Sequence, residues 1–208
     1  MSESVLREGN IPCQCNAYQS AMSCKVGRFC ARNHVECPFC RIVCLENIFP
    51  SPTHFQRLLP KVEIEKADKL QSIEQKYVDA VFTDIFYEAA QYGQISDIMI
   101  AKNPIVNLCG TAFIAYTEIC DAYVACKAFN GRFYAGRRIF ASLKPHGRFS
   151  KMICTPNCTQ VDCNMIHPYA ISDNVYKTLF PLQKKAVPKV FQKETDEETL
   201  DPNTILFN

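Results

Sequence analysis

The stretch GTAFIAYTEICDAYVACKAFNGRFYAGRRIFASL, residues 110–143, decides the fold. Its opening GTAFIAY (Gly110–Tyr116) is apolar, with branched and aromatic members, and reads as a strand. TEICDAYVACKAFN (Thr117–Asn130) reads as a helix, and RRIFASL (Arg137–Leu143) as a second strand beyond a loop. Working back towards the start, ISDIMI (Ile95–Ile100) reads as another strand. EKADKLQSIEQKYVDAVFTDIFYEAAQYG before it has helical periodicity. Val78, Phe82, Ile85, Phe86 and Ala89 fall at i, i+4, i+7, i+8 and i+11, a stripe that must face a core. Gly93 is a reasonable stop for that helix. Further back, RIVCLENIF (Arg41–Phe49) reads as a strand, followed by a polar connection broken by Pro50, Pro52 and Pro60.

The order βαββαβ describes an α+β domain: a four-stranded antiparallel sheet backed by two helices, the fold of an RNA recognition motif. Such sheets stack bases on aromatic residues of the two central strands. Here Val43–Ile48 fits the first-strand signature with Cys44 at the aromatic place. Cys109–Tyr116 fits the third-strand signature with Cys109 and Thr111 where a cation and an aromatic are usual. Phe113 alone remains as a stacking platform. Each base stack is worth roughly 1–3 kcal/mol, so this sheet has given up most of its affinity for RNA and reads as converted to another use.

On either side of this region lie two cysteine sets. Cys15-x8-Cys24-x5-Cys30-x3-His34 supplies four ligands of the types that close a tetrahedral Zn²⁺ site. The Cys-x3-His interval is one turn long, so both side chains can reach one ion. The segment is short and polar, with Gly27 permitting a tight bend, and metal would supply much of its folding free energy. Cys154-x3-Cys158-x4-Cys163-x3-His167 repeats the ligand order and the last interval, with the first two compressed. The sequence therefore predicts two Zn²⁺ ions. Cys37 and Cys40, with Cys13 and Cys44 nearby, offer substitute ligands or a further site. Cys109, Cys120 and Cys126 lie in apolar stretches and read as core.

Composition fits this picture. The 208 residues include 13 cysteines, no tryptophan and a 48% hydrophobic share, enough for a packed core. No apolar run approaches the roughly 18 residues of a membrane helix, and MSESVLREGN lacks the apolar centre of a signal peptide. Clustered thiols then point to metal in a reducing compartment rather than to disulfides. Net charge is only +2, but it is unevenly spread. Acids outnumber lysines 8 to 4 between Lys61 and Ile100, and 6 basic residues stand unopposed between Arg132 and Lys151. Such a split suits one basic and one polyanionic partner.

The order of finger, modified recognition motif and finger resembles the small subunit of the U2 snRNP auxiliary factor, over about residues 13 to 180. Asn130–Gly136 (NGRFYAG) resembles that family's loop with an Arg-x-aromatic motif, and Phe82–Glu88 (FTDIFYE) its acidic first helix. The resemblance implies a nuclear splicing subunit, not an enzyme, that pairs with a large subunit and reads single-stranded pre-mRNA at the AG of the 3′ splice site. It implies finger 1 over 13–38, a peptide-binding domain over 41–146 and finger 2 with a short helix over 148–180; the mixed charges of 181–208 read as a disordered tail. A partner tryptophan would stack on Tyr134 and be bracketed by Arg132. Asp84 and Glu88, one helical turn apart, would hold the partner's cations. Phe133 stands where the family carries a tryptophan that reaches into the large subunit, and Thr83 replaces an expected acid.

For RNA, the resemblance singles out Arg32 between Cys30 and His34, with Lys25 and Arg28 flanking and Tyr18 and Phe29 as stacking surfaces. In the second finger it singles out Asn164 and Met165, supported by Arg148, Phe149 and Lys151. Ala31 replaces a frequent serine. Ser172 reads as the cap of a short helix whose Val175, Leu179 and Phe180 pack the second finger against the sheet, so that the two fingers make one surface. Two other functions fit the same motifs: a Cys3His regulator of mature messages, and a zinc-stabilised protein-interaction module.

Overall fold

The computed structural model describes residues 14–21, 24–34, 39–46, 48–49, 67–103, 105, 107–144, 148–160 and 162–183. Cys13, Cys37, most of the proline-broken connection and residues 184–208 of the expected tail lie outside the described residues, as does the side chain of Arg28.

A short helix α1 (Asn16–Ala21) follows Cys15. Strand β1 (Ile42–Glu46) leads to α2 (Ala67–Ala89), β2 (Ile95–Ile100), β3 (Ala112–Tyr116) and α3 (Ile119–Phe129). A hairpin of β4 (Phe133–Tyr134) and β5 (Arg137–Arg138) precedes β6 (Phe140–Lys144), and α4 (Asp173–Gln183) comes last. The sheet runs β2-β3-β1-β6, antiparallel throughout, with Cys44 opposite Phe113 on one side and Ser142 on the other. This is the α+β recognition-motif topology expected from the sequence.

Both faces of the sheet are covered. Val43, Leu45, Ile98, Ile100, Ile114 and Leu143 point to one side, where they meet the Val78, Phe82, Ile85, Phe86 and Ala89 stripe of α2. Ile42, Cys44, Met99 and Phe113 point to the other, where they meet Cys15, Tyr18, Cys24, Phe149, Met152 and Ile166 from the two metal loops. Strands buried on both faces read as continuous apolar runs, which is what AFIAY and IVCL are. The expected stacking role of Phe113 is thereby corrected. The ring is 1% exposed beneath the metal loops and offers no face to a base.

The expected strand Arg137–Leu143 is broken. Ala135 (φ 47°) and Gly136 (φ 76°) form a two-residue turn, the left-handed pair that matches hairpin twist. Arg137 and Arg138 therefore pair back on Tyr134 and Phe133. Ile139 turns inward, its amide donating to the Arg132 carbonyl at 2.7 Å, and β6 then joins the sheet. Cys120 also departs from expectation: it is exposed on α3, whereas Cys109 is buried and Cys126 half-buried.

Helix α4 packs on α2 and shares the core beneath the sheet, Tyr176 also bonding to Asp97 of β2. Leu179 is buried, Tyr176 packs on Phe82 and Phe180 on Phe86. The Ser172 hydroxyl donates to Asp79 of α2 and its amide donates to the same carboxylate at 3.0 Å. The helix also runs to Gln183, past the expected tail boundary at 181. The Gln183 side chain accepts from the Ile95 amide at 2.9 Å and donates to the Ile95 carbonyl at 2.7 Å, closing the start of edge strand β2. No helix among the described residues is long and apolar enough to cross a membrane.

Candidate metal centres and ligand pocket

Each predicted ligand set converges. One ligand atom from each of Cys15, Cys24, Cys30 and His34 lies within 4.8 Å of the other three, and the same holds for Cys154, Cys158, Cys163 and His167. The Cys15 and Cys24 sulfurs are 3.7 Å apart, and those of Cys154 and Cys163 3.6 Å. Tetrahedral Zn–S bonds of about 2.3 Å place two sulfurs about 3.8 Å apart, so the thiols stand where zinc would hold them.

The same turn is built twice despite unequal spacing. The Cys15 amide donates to the carbonyl of Asn33, the residue before His34, at 3.0 Å. The Cys154 amide donates to the carbonyl of Ile166, the residue before His167, at 2.9 Å. First and last ligands are thus pinned side by side, and the compressed intervals of the second set are absorbed between them.

The donor atoms also need a cation. Nε2 of His34 and Nε2 of His167 are buried without a hydrogen-bond partner, and such orphaned acceptors are rare unless an ion or water satisfies them. Burial, with the neighbouring Cys15 and Cys30 thiols, pushes the Cys24 thiol up to about 11. Burial, with Cys154 and Cys158, does the same to Cys163. The three thiols of each set ionise together only around a positive charge. Burial also lowers the pKa of His34 and keeps its imidazole neutral, the form that binds metal.

The expected RNA-contacting residues divide. Tyr18 and Phe149 are 4% and 7% exposed within the layer between metal loops and sheet. Tyr18 stacks on His34 and bonds to Lys144, leaving no ring face for a base. For these two the expectation is corrected: they are packing residues. Lys144, one of the six cations of the basic stretch, is buried in the same layer. Phe29 is 75% exposed beside Cys30, and Arg32, Arg148 and Lys151 are also exposed; Met165 is half-buried. Lys25 and Asn164 face each other across the two fingers. The Lys25 amide donates to Asn164 Oδ1 at 3.0 Å and its ammonium reaches Asp162 at 2.9 Å. The fingers, 137 residues apart in the chain for the Lys25–Asp162 pair, are in direct contact.

On the helical side of the sheet lies a pocket of about 190 Å³. Leu45, Ile85 and Phe129 form its apolar wall, and Asp84, Glu88, Arg132, Phe133 and Tyr134 its rim. The five residues expected to bind a partner therefore share one pocket. The Tyr134 hydroxyl donates to Asp84 at 2.8 Å, and burial together with that carboxylate raises the phenol pKa. Arg132 pairs with Glu88, to which Tyr92 also donates at 3.0 Å. The picture of two free carboxylates waiting for a partner's cations is thus modified, because each already carries a ligand from the loop. Phe133 is exposed at the hairpin tip. Sequence reasoning missed Tyr92, Asn103, Asn107 and Lys144; only burial and reach, invisible in a linear pattern, mark them.

A recognition-motif sheet sandwiched between helices and two Cys3His clusters defines a class of protein in which a recognition motif is flanked by two candidate metal centres. Comparison with characterised proteins agrees, although no family model matches the chain. The chain is 24% identical over 195 residues to the splicing factor U2AF 23 kDa subunit of Schizosaccharomyces pombe, covering 91% of this chain and 87% of that protein. It is 25% identical over 178 residues to the splicing factor U2af 38 kDa subunit of Drosophila melanogaster, covering 83% and 67%. A third relative, the transcriptional regulator of yeast form adherence 2 of Candida albicans, is 29% identical over 136 residues, covering 61% and 37%. Over most of its length the chain is thus similar to U2AF small subunits, at 24–25% identity.

Proposed function

We propose that this chain is a nuclear splicing-factor subunit that reads the AG of the 3′ splice site through its two zinc-bound fingers and pairs with a large subunit through the pocket beside Tyr134. The observation that carries this reading is the separation of the two surfaces. The fingers meet each other over one face of the sheet, and the pocket opens on the helical side. RNA and partner can therefore bind at once without competing for the sheet.

Zinc would be held by Cys15, Cys24, Cys30 and His34, and by Cys154, Cys158, Cys163 and His167. Its chemistry here is structural: four protein ligands close each site and leave no position for a reactive water. Around the metal loops, Phe29 offers a stacking face and Arg32, Arg148 and Lys151 offer cations to the backbone. In the pocket, an incoming indole would lie against Tyr134 and the Arg132–Glu88 pair over an apolar floor, the arrangement of an anchored aromatic hot spot. The acids at the rim would steer basic residues flanking that indole. The divisions 13–38, 41–146 and 148–180 serve this reading as three functional units, the last extended to Gln183.

The test is pull-down of tagged full-length chain from its own cells, followed by crosslinking of the bound RNA. The reading requires a large-subunit protein with a basic, tryptophan-containing segment, and RNA tags at intron 3′ ends. Tags confined to untranslated regions, or an RNA-free complex, would overturn it in favour of a message regulator or a protein-interaction module.

A further inference from the structure

The loop joining β2 to β3 carries two asparagines whose side chains are spent on the fingers. Asn103 is fully buried. Its Nδ2 donates to the Met165 carbonyl at 2.8 Å and to the Cys163 carbonyl at 3.3 Å, and its Oδ1 accepts from the His167 amide at 2.9 Å. One side chain thus grips the backbone of finger 2 from its third ligand to its fourth. Four positions on, Asn107 donates through Nδ2 to the Lys25 carbonyl at 2.8 Å, immediately after the second ligand of finger 1. Gly27 brings that loop in: it has φ +60°, and a Cβ placed there would stand 3.3 Å from Asn107 Cβ. A side chain at Gly27 would be both strained and crowded.

Lys25 closes the arrangement. Its carbonyl is held by Asn107 of the sheet loop, its amide by Asn164 of finger 2, and its ammonium by Asp162 of finger 2. Asparagine suits both loop positions because it carries a donor and an acceptor on a short stem. The Lys25–Asp162 pair is 49% and 71% exposed, and such surface pairs add little to stability. Its effect is on position.

We propose that the β2–β3 loop is a bracket that sets the spacing and orientation of the two fingers, with Asn103 and Asn107 as positioning residues and the Lys25–Asp162 pair as its latch. In recognition-motif terms, a loop at the edge of the base-binding face has been turned to holding the reading heads instead. This rests on the reading that the fingers bind RNA. It adds that neither finger reads alone: contacts made by one finger count only when the bracket presents the other in register.

The experiment uses the full-length, metal-loaded chain. Because Asn103→Ala leaves three backbone groups of finger 2 unpaired and risks misfolding, the variants are Asn107→Ala, Lys25→Glu, Asp162→Lys and the swapped pair Lys25→Glu/Asp162→Lys. Metal content, thermal midpoint, affinity for a short UAG-containing single-stranded RNA, and nuclear Overhauser contacts between the Lys25 amide and the Asn164 side chain are measured. The bracket requires those contacts in the wild-type chain. It requires Asn107→Ala and Lys25→Glu to lose about tenfold in RNA affinity, typical of a coupling between sites, with both metal ions retained. The swapped pair regains most of the loss, which neither a change of net charge at Lys25 alone nor a general loss of structure would give. Absent contacts in the wild type, or variants that bind RNA as the wild type does, overturn the bracket. Failure of the wild type itself to bind RNA overturns the functional reading, and the Overhauser contacts then decide the bracket by themselves.

Discussion

Lys144 Nζ donates to the Tyr18 hydroxyl at 2.9 Å, tying the last strand of the sheet to the first finger across 126 positions. The ammonium lies 4.4 Å from the Tyr18 ring centroid, and the same ring stacks on His34 with centroids 4.2 Å apart and planes 3° from parallel. A buried cation, a phenol and the imidazole of a candidate metal ligand thus form one column, and the orientation of His34 depends on a strand distant in sequence. Tyr18→Phe keeps the stack but removes the Lys144 partner, and should cost about 1–3 kcal/mol for a charged group left short of a hydrogen bond. Tyr18→Leu should also free the imidazole, lowering metal affinity at the first site about tenfold and leaving the second unchanged. Chelator competition with both sites followed separately checks this.

Metal stoichiometry gives a second prediction. Native mass spectrometry of the wild-type chain should show two zinc ions, and His34→Ala or His167→Ala should each show one. Removing both ions should expose the sheet face under the fingers, where Ile42, Phe113 and Met152 are buried, so binding of a hydrophobic dye should rise with chelation.

The pocket gives a third. Tyr134→Ala should weaken binding of a basic, tryptophan-bearing peptide by about 2 kcal/mol or more, roughly thirtyfold, as removal of a central aromatic contact does. Tyr134→Phe, which loses only the bond to Asp84, should cost far less. Asp84→Asn should act mainly through association rate and flatten its salt dependence. Stopped-flow titration at two ionic strengths distinguishes these effects.

A fourth concerns α4. Leu179 is buried where the helix meets the core, so Leu179→Ala should destabilise the chain by about 2–5 kcal/mol. Metal content should be unchanged, because none of the eight ligand residues lies on that helix. Denaturant titration monitored by far-ultraviolet dichroism measures the loss.

The sheet, its order and both ligand sets were legible because each rests on local periodicity or fixed spacing. The stripe from Val78 to Ala89 could face only a core, and two repeats of three thiols and an imidazole could hardly serve anything but metal. What was not legible depends on contacts between distant segments. Tyr18 sits in a polar stretch and looks free, yet that stretch docks on the sheet. Phe113 looks like a platform until the fingers cover it. Lys144 looks like one of six surface cations until its strand direction turns it under finger 1. Alternation along β6 would have placed Ser142 and Lys144 on one face, but nothing local says that this face is covered.

The paired hydrogen bonds from Gln183 to Ile95 bear on how the chain behaves in crowded solution. An outermost strand with open amides and carbonyls is a template on which another chain can nucleate. By plugging the first rung of β2, the end of α4 denies that template its starting point. A chain cut short before Gln183 would keep its metal loops and its pocket, and would be more prone to stick to its own copies.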